Sequence, residues 1–198
     1  TATYATYLER FAAHGGNAVE IWLAPWNLGL EWNGDWPGFH GMGRYNQGNA
    51  ERLDRILDCA WRLGVRVNLV IASHGQASIR VDSEWNDHPW NILNGGVLTN
   101  PYQLFSGPRA LQNQEHLRRY LVARYADHPA ILAWKLWTEV DLTVAGNSSW
   151  ATPSPRLKAL FAKTGSAAVL DVAPPTMDER LAALTRWHAD AAAQLHAL

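Results

Sequence analysis

The 198-residue sequence predicts an α/β fold with a parallel sheet of TIM-barrel type, built from (β/α) units. Three observations carry this reading. Short apolar runs alternate with stretches whose apolar residues recur every three or four positions, the pattern of strands crossed over by helices. Turns into the runs are short, whereas the segments after them are long and hold most of the His, Trp, Asn and Asp. No run is followed by GxGxxG or GxxxxGKS/T, the phosphate turns a doubly wound nucleotide-binding sheet would want. Right-handed crossovers then gather the long loops on one face, at the C-terminal ends of the strands.

The elements follow in order. Thr3 to His14 has Tyr4, Tyr7, Leu8 and Phe11 on one helical face, and Gly15-Gly16-Asn17 ends it. Ala18 to Ala24 reads as a strand stopped by Pro25, followed by a loop from Trp26 to about Gly48. Asn49 is the expected N-cap of a helix from Ala50 to Leu63, with Leu53, Ile56, Leu57, Ala60 and Trp61 inward. Val65 to Ala72 is the second strand, and a second long loop runs from Ser73 to Gly107. Pro108 suits the first turn of a helix from Arg109 to Ala126. Its stripe is Leu111, Leu117, Leu121 and Tyr125, with Arg118, Arg119 and Arg124 in solvent.

Asp127-His128-Pro129 turns into the third strand, expected to run from Ala130 to Leu142. Residues 143–177 read as a long loop insertion, with a short helix from Pro155 to Phe161 and an extended piece from Ala167 to Val172. Met177 to Ala197 is the last helix, with Leu181, Leu184, Trp187, Ala191 and Leu195 inward. The whole reads as a single domain over 1–198.

Composition narrows the function classes. A net charge of -1, with no block of Lys or Arg, argues against a nucleic-acid partner. No apolar segment is long enough to span a bilayer. One cysteine, Cys59, leaves no internal disulfide and reads as a small buried residue. The chain starts at Thr1 without a Met or a signal peptide, which reads as processing or trimming. Eleven Trp stand out, because an indole offers a flat face for stacking on sugar rings together with a polar N–H. Trp26, Trp32, Trp36, Trp85, Trp90 and Trp150 fall in loops, whereas Trp61 and Trp187 fall in helices and read as packing residues.

The third strand ends abruptly on Thr138, Glu139 and Asp141. An acidic residue between Trp137 and Val140 should sit in an apolar setting that favours its protonated form and suits proton donation. His40, His74, His88 and Asp87 share the same predicted face, but no HxH or HExxH spacing supports a metal centre, and no cofactor is expected. Asp82, Glu84 and Asp87 lack the regular spacing of a calcium loop and read as solvated. Asn147-Ser148-Ser149 matches a glycosylation pattern that is common by chance.

WLAPWNLGLEWN, FHGMGRYN, SHGQ, EWNDHPWN and ILAWKLWTEVDL, in that order, resemble successive segments of cellulase-like glycoside hydrolases. These are (β/α)8-barrel enzymes of the large retaining clan that includes cellulases, β-mannanases and β-galactosidases. The resemblance implies a partial barrel, about strands two to four of eight, that hydrolyses β-linked glycans. It implies Glu139 as general acid/base, with Trp26, His40, His74, Trp85, Asn86 and Trp137 lining a sugar cleft. Thr138 occupies the place where the family carries an Asn that bonds the sugar 2-hydroxyl. The family's nucleophile, a Glu at the end of the seventh strand, has no counterpart in these residues. The partner implied is an oligosaccharide or polysaccharide, the rest of the barrel comes from the same or another chain, and a secreted or periplasmic location is favoured. The alternatives are a carbohydrate-binding barrel without hydrolysis and a structural fragment.

Overall fold

The computed structural model describes residues 2–145, 155–164 and 175–198. Helices α1 (Ala2–Ala13), α2 (Gln47–Arg62) and α3 (Pro108–Tyr125) alternate with strands β1 (Ala18–Trp22), β2 (Arg66–Val70) and β3 (Ile131–Lys135). Three helices follow: α4 (Val140–Ala145), α5 (Pro155–Thr164) and α6 (Met177–Ala197). The strands form one parallel sheet in the order β1-β2-β3. β1 pairs with β2 from Ala18↔Arg66 to Trp22↔Val70. β2 pairs with β3, with an irregularity between Val67 and Asn68.

Alternation along the strands separates two faces. Ile21, Val67 and Leu69 join Leu53, Ile56, Leu57 and Ala60 of α2, and Leu121 and Tyr125 of α3, in the main core. Each such Leu, Ile or Val side chain contributes about 1.5–3 kcal/mol through burial. The opposite face is polar and partly open. There Lys135 Nζ lies 3.0 Å from Glu20 Oε1, and Asn68 Nδ2 donates to the same oxygen at 3.0 Å. In a closed barrel this face lines the interior.

A second core lies under the loops. Trp85, Trp90, Leu98, Leu104 and Phe105 of the segment after β2 pack with Trp137, Leu184 and Trp187. Phe105, Trp137 and Trp187 meet edge to face, with centroids 4.8–5.8 Å apart. This core anchors the long segment 73–107, which folds as short single-turn helices rather than as a free loop.

Several expectations are corrected. The third strand stops at Lys135, and Thr138 keeps only a single bridge to Ser73. The chain turns at Glu139 and enters α4, so the apolar run overstates the ladder. Helix α2 starts earlier than expected because Asn46 is its N-cap, its side chain accepting from the N–H of Asn49. Asn49 itself is buried and donates to the carbonyl of Gly29.

Arg118 is not solvated. It is 4% exposed and bonds Gln194 of α6, because α6 covers that side of α3. Trp61 is exposed, with the Arg66 guanidinium over its ring at 4.4 Å. Leu181 is exposed too, while Leu184, Trp187 and Ala191 are buried as the periodicity predicts. The short helix expected from Pro155 is present, running to Thr164. Trp150, the Asn147 pattern and the extended piece from Ala167 to Val172 lie outside the described residues.

Candidate active site at the C-terminal ends of the strands

Glu139 stands four residues beyond the end of β3, immediately before α4. Its backbone has φ 57°, a left-handed conformation that a side-chain-bearing residue adopts at a cost of about 1–2 kcal/mol. The turn is fixed on both sides: Thr138 N–H donates to Ala72 O at 3.0 Å, and Thr143 N–H donates to Glu139 O at 3.2 Å. Its side chain is 42% exposed. The surroundings are therefore not the apolar pocket that the neighbouring Trp137 and Val140 suggest. Trp137 turns inward to the loop core and donates its indole N–H to Thr143 Oγ1 at 2.9 Å.

Glu139 faces His74. Its Oε2 lies 2.5 Å from Nδ1 of the imidazole, off the line of a straight N–H···O bond, so this is a close polar contact. The other ring nitrogen, Nε2, lies 3.2 Å from Asp82 Oδ2. His74 is buried, held in the single-turn helix His74–Ala77 that follows β2. Both imidazole nitrogens are thus occupied by carboxylates.

Glu84 packs on the same turn. Its N–H donates to Gly75 O at 3.0 Å, and a Cβ added at Gly75 would stand 2.9 Å from the Glu84 carboxyl carbon. Oε1 accepts the indole N–H of Trp26 at 3.1 Å, while Oε2 is buried without a hydrogen-bond partner. Burial raises the Glu84 pKa above the ordinary carboxyl value, opposed by the Trp26 hydrogen bond and the nearby His74. Glu84 is therefore no solvated loop carboxylate.

The sequence-nominated residues divide into two groups. Glu139, His74 and Trp26 are brought onto one surface by contacts to each other or through Glu84. Trp26 keeps a broad face open, at 64% exposed. Trp85, Trp137 and Thr138 are buried and present little surface to a ligand. Asn86 is exposed and its carbonyl accepts from Asn94, and His40 is exposed in the first long loop.

Sequence reasoning passed over Glu31. It is half-buried beside Trp90 and accepts the N–H of Gly43 at 2.7 Å and the Trp90 indole N–H at 2.5 Å. Burial raises its pKa. A carboxyl between Leu30 and Trp32 was the available signal. It borders a separate cavity of about 60 Å³, also lined by Trp32, His88, Trp90 and Trp187, whose lining includes neither Glu139 nor His74. Desolvation lowers the His88 pKa to about 3, and its Nδ1 accepts the Trp90 N–H at 3.2 Å. Among the described residues no group of three or more His, Cys, Asp or Glu could hold a metal ion.

No family model matches the chain, and no curated protein does. Solved structures do. The AHE enzyme from Alicyclobacillus herbarius aligns with a TM-score of 0.56 at 14% identity, over 98% of this chain and 34% of that one. The family 1 β-glucosidase from Thermotoga maritima, in complex with isofagomine lactam, gives 0.56 at 17% identity, over 98% and 34%. The β-mannanase from the blue mussel Mytilus edulis gives 0.54 at 13% identity, over 98% and 48%.

The fold is part of a (β/α)8 barrel. The β-glucosidase and the β-mannanase are barrel glycoside hydrolases, so the architecture expected from the sequence resemblance is the one found. The chain spans between 34% and 48% of the length of these structures. In a barrel of this type the C-terminal ends of the strands form the active-site face, and Glu139, His74 and Trp26 all stand there.

Proposed function

We propose that this chain is the acid/base-bearing portion of a glycoside hydrolase acting on β-linked glycans with retention of configuration. The observation that supports it best is Glu139: a half-exposed carboxyl at the end of a parallel barrel strand, held in a left-handed turn and gripped by a buried imidazole. Costly backbone conformations persist where the surroundings fix them, often at functional sites.

In the first half of the reaction Glu139 gives its proton to the glycosidic oxygen as the leaving group departs. In the second half it takes a proton from the attacking water. Trp26 offers its open indole face to a sugar ring, and Glu84 fixes the plane of that ring through the 3.1 Å bond. Retention needs a second carboxyl about 5–5.5 Å from the first. That nucleophile comes from strands of the barrel outside this sequence, a reading supported by the chain's partial span of its structural neighbours.

A carbohydrate-binding barrel without turnover is the second reading, and Thr138 favours it. At 3% exposed and with a short hydroxyl for a side chain, this residue cannot offer a ligand the side-chain amide that the resembling family has there. The experiment is turnover of aryl β-glycosides and β-linked oligosaccharides by the complete barrel, beside calorimetry with the same glycans. Product formed by the wild type and lost in Glu139→Gln supports the enzyme. Binding with no product supports the second reading.

A further inference from the structure

The two carboxylates on His74 share a property found at no other side-chain-bearing position among the described residues. Asp82 and Glu139 are the two non-glycine residues with positive φ, at 45° and 57°. They come from different loops, 57 residues apart in sequence, and each spends backbone strain to reach the same buried ring. Asp82 tolerates this conformation better than Glu139 does, because a short polar side chain stabilises it locally.

The arrangement fixes what the imidazole does. Asp82 accepts from Nε2, so the Nε2–H form is the one this neighbour selects. Nδ1 then faces Glu139 Oε2 at 2.5 Å, without the geometry of a hydrogen bond. Glu84 lies beside His74 as well, with its buried oxygen unpartnered, so three carboxyl groups surround one ring. With both nitrogens occupied, His74 has none left for a sugar hydroxyl.

We propose that Asp82 and His74 form a relay that positions Glu139. This rests on the reading of Glu139 as the acid/base. His74 is a positioning residue in it: the proton on the glycosidic oxygen comes from Glu139, and His74, held by Asp82, fixes where the Glu139 carboxyl stands. A group that assists proton donation matters most where the leaving group needs protonation and least where it departs unaided.

Two arms test this on separate readouts. The first is imidazole nitrogen NMR on the 198-residue chain. His74 is expected to carry the Nε2–H signature in the wild type, and Asp82→Asn should return it to a mixture of tautomers. An unchanged His74 spectrum in Asp82→Asn overturns the relay whether or not the protein turns over any glycoside. The second arm is kinetic, in the complete barrel. His74→Gln should lower kcat/KM about tenfold or more for alkyl glycosides while leaving dinitrophenyl glycosides within about twofold. Equal loss on both substrate types overturns the relay and makes His74 a substrate ligand. Absence of wild-type turnover on every substrate counts against the proposed function instead, and the NMR arm still decides the relay.

Discussion

The indole N–H of Trp26 donates to Oε1 of Glu84 across 3.1 Å, joining the loop after β1 to the loop after β2. This bond orients the exposed aromatic face of Trp26 and sets how a ring would stack on it. Glu84→Ala removes the acceptor and frees the indole to rotate. A hydrogen bond of this kind is worth about 0.5–1.5 kcal/mol, so glycan affinity should fall by up to about tenfold. Trp26→Ala should lower it further, because the stacking surface itself is lost. Tryptophan-fluorescence titration with β-linked oligosaccharides checks both.

Gly75 is the contact that lets Glu84 come in. A Cβ there would stand 2.9 Å from Asp82 O and 2.9 Å from the Glu84 carboxyl carbon. Gly75→Ala should displace the segment that carries both acidic residues and cost about 1–3 kcal/mol. Urea denaturation measures the cost, and the Trp26 emission spectrum reports the displacement.

The left-handed turn at Glu139 separates stability from function. Glu139→Gly and Glu139→Ala both remove the carboxyl, but only glycine relieves the backbone at φ 57°. Glu139→Gly should be the more stable variant by about 1 kcal/mol, read as a difference in urea midpoints. Equal stabilities would contradict the backbone described for this turn.

His88 gives the pH dependence a sign. Its folded pKa is lowered to about 3 by desolvation, against an ordinary value of 6.5. Between those two values the unfolded chain binds the proton and the folded chain does not. The native state is therefore favoured above pH 6.5, and this contribution is lost as pH falls, at roughly 1.4 kcal/mol per pH unit. The raised pKa values of Glu31 and Glu84 act oppositely, since their folded forms hold protons longer as pH rises. Comparing the wild type with His88→Asn isolates the imidazole. The wild type should lose about 2–3 kcal/mol more than the variant between pH 6.5 and pH 4.5.

Much of the fold was legible because periodicity reports burial. The stripe of Leu53, Ile56, Leu57 and Ala60 and the full extent of α6 follow from three- and four-residue spacing alone. What failed was information carried by other elements. Arg118 looks like a solvent residue until α6 lies over it, and Trp61 looks like a packing residue, yet it is exposed and carries the Arg66 guanidinium over its ring. Trp137 extended the apolar run past Lys135, but it packs into the loop core rather than the ladder.

The site was legible in part for the same reason. A carboxyl at the end of an apolar run marked Glu139, and loop indoles marked Trp26. The Asp82–His74–Glu139 contacts join residues far apart in sequence through loop paths that no spacing encodes. Loop tryptophans such as Trp32, Trp85 and Trp90 looked free for ligand because loops usually lie at the surface. They are buried because segment 73–107 is itself a packed layer.

The most direct test of the account is turnover of an alkyl β-glycoside by the complete barrel, wild type against Glu139→Gln. The side chains are nearly isosteric, but the amide has no acidic proton to give. The account predicts that kcat falls by about 100-fold or more. Turnover by Glu139→Gln equal to that of the wild type would contradict it.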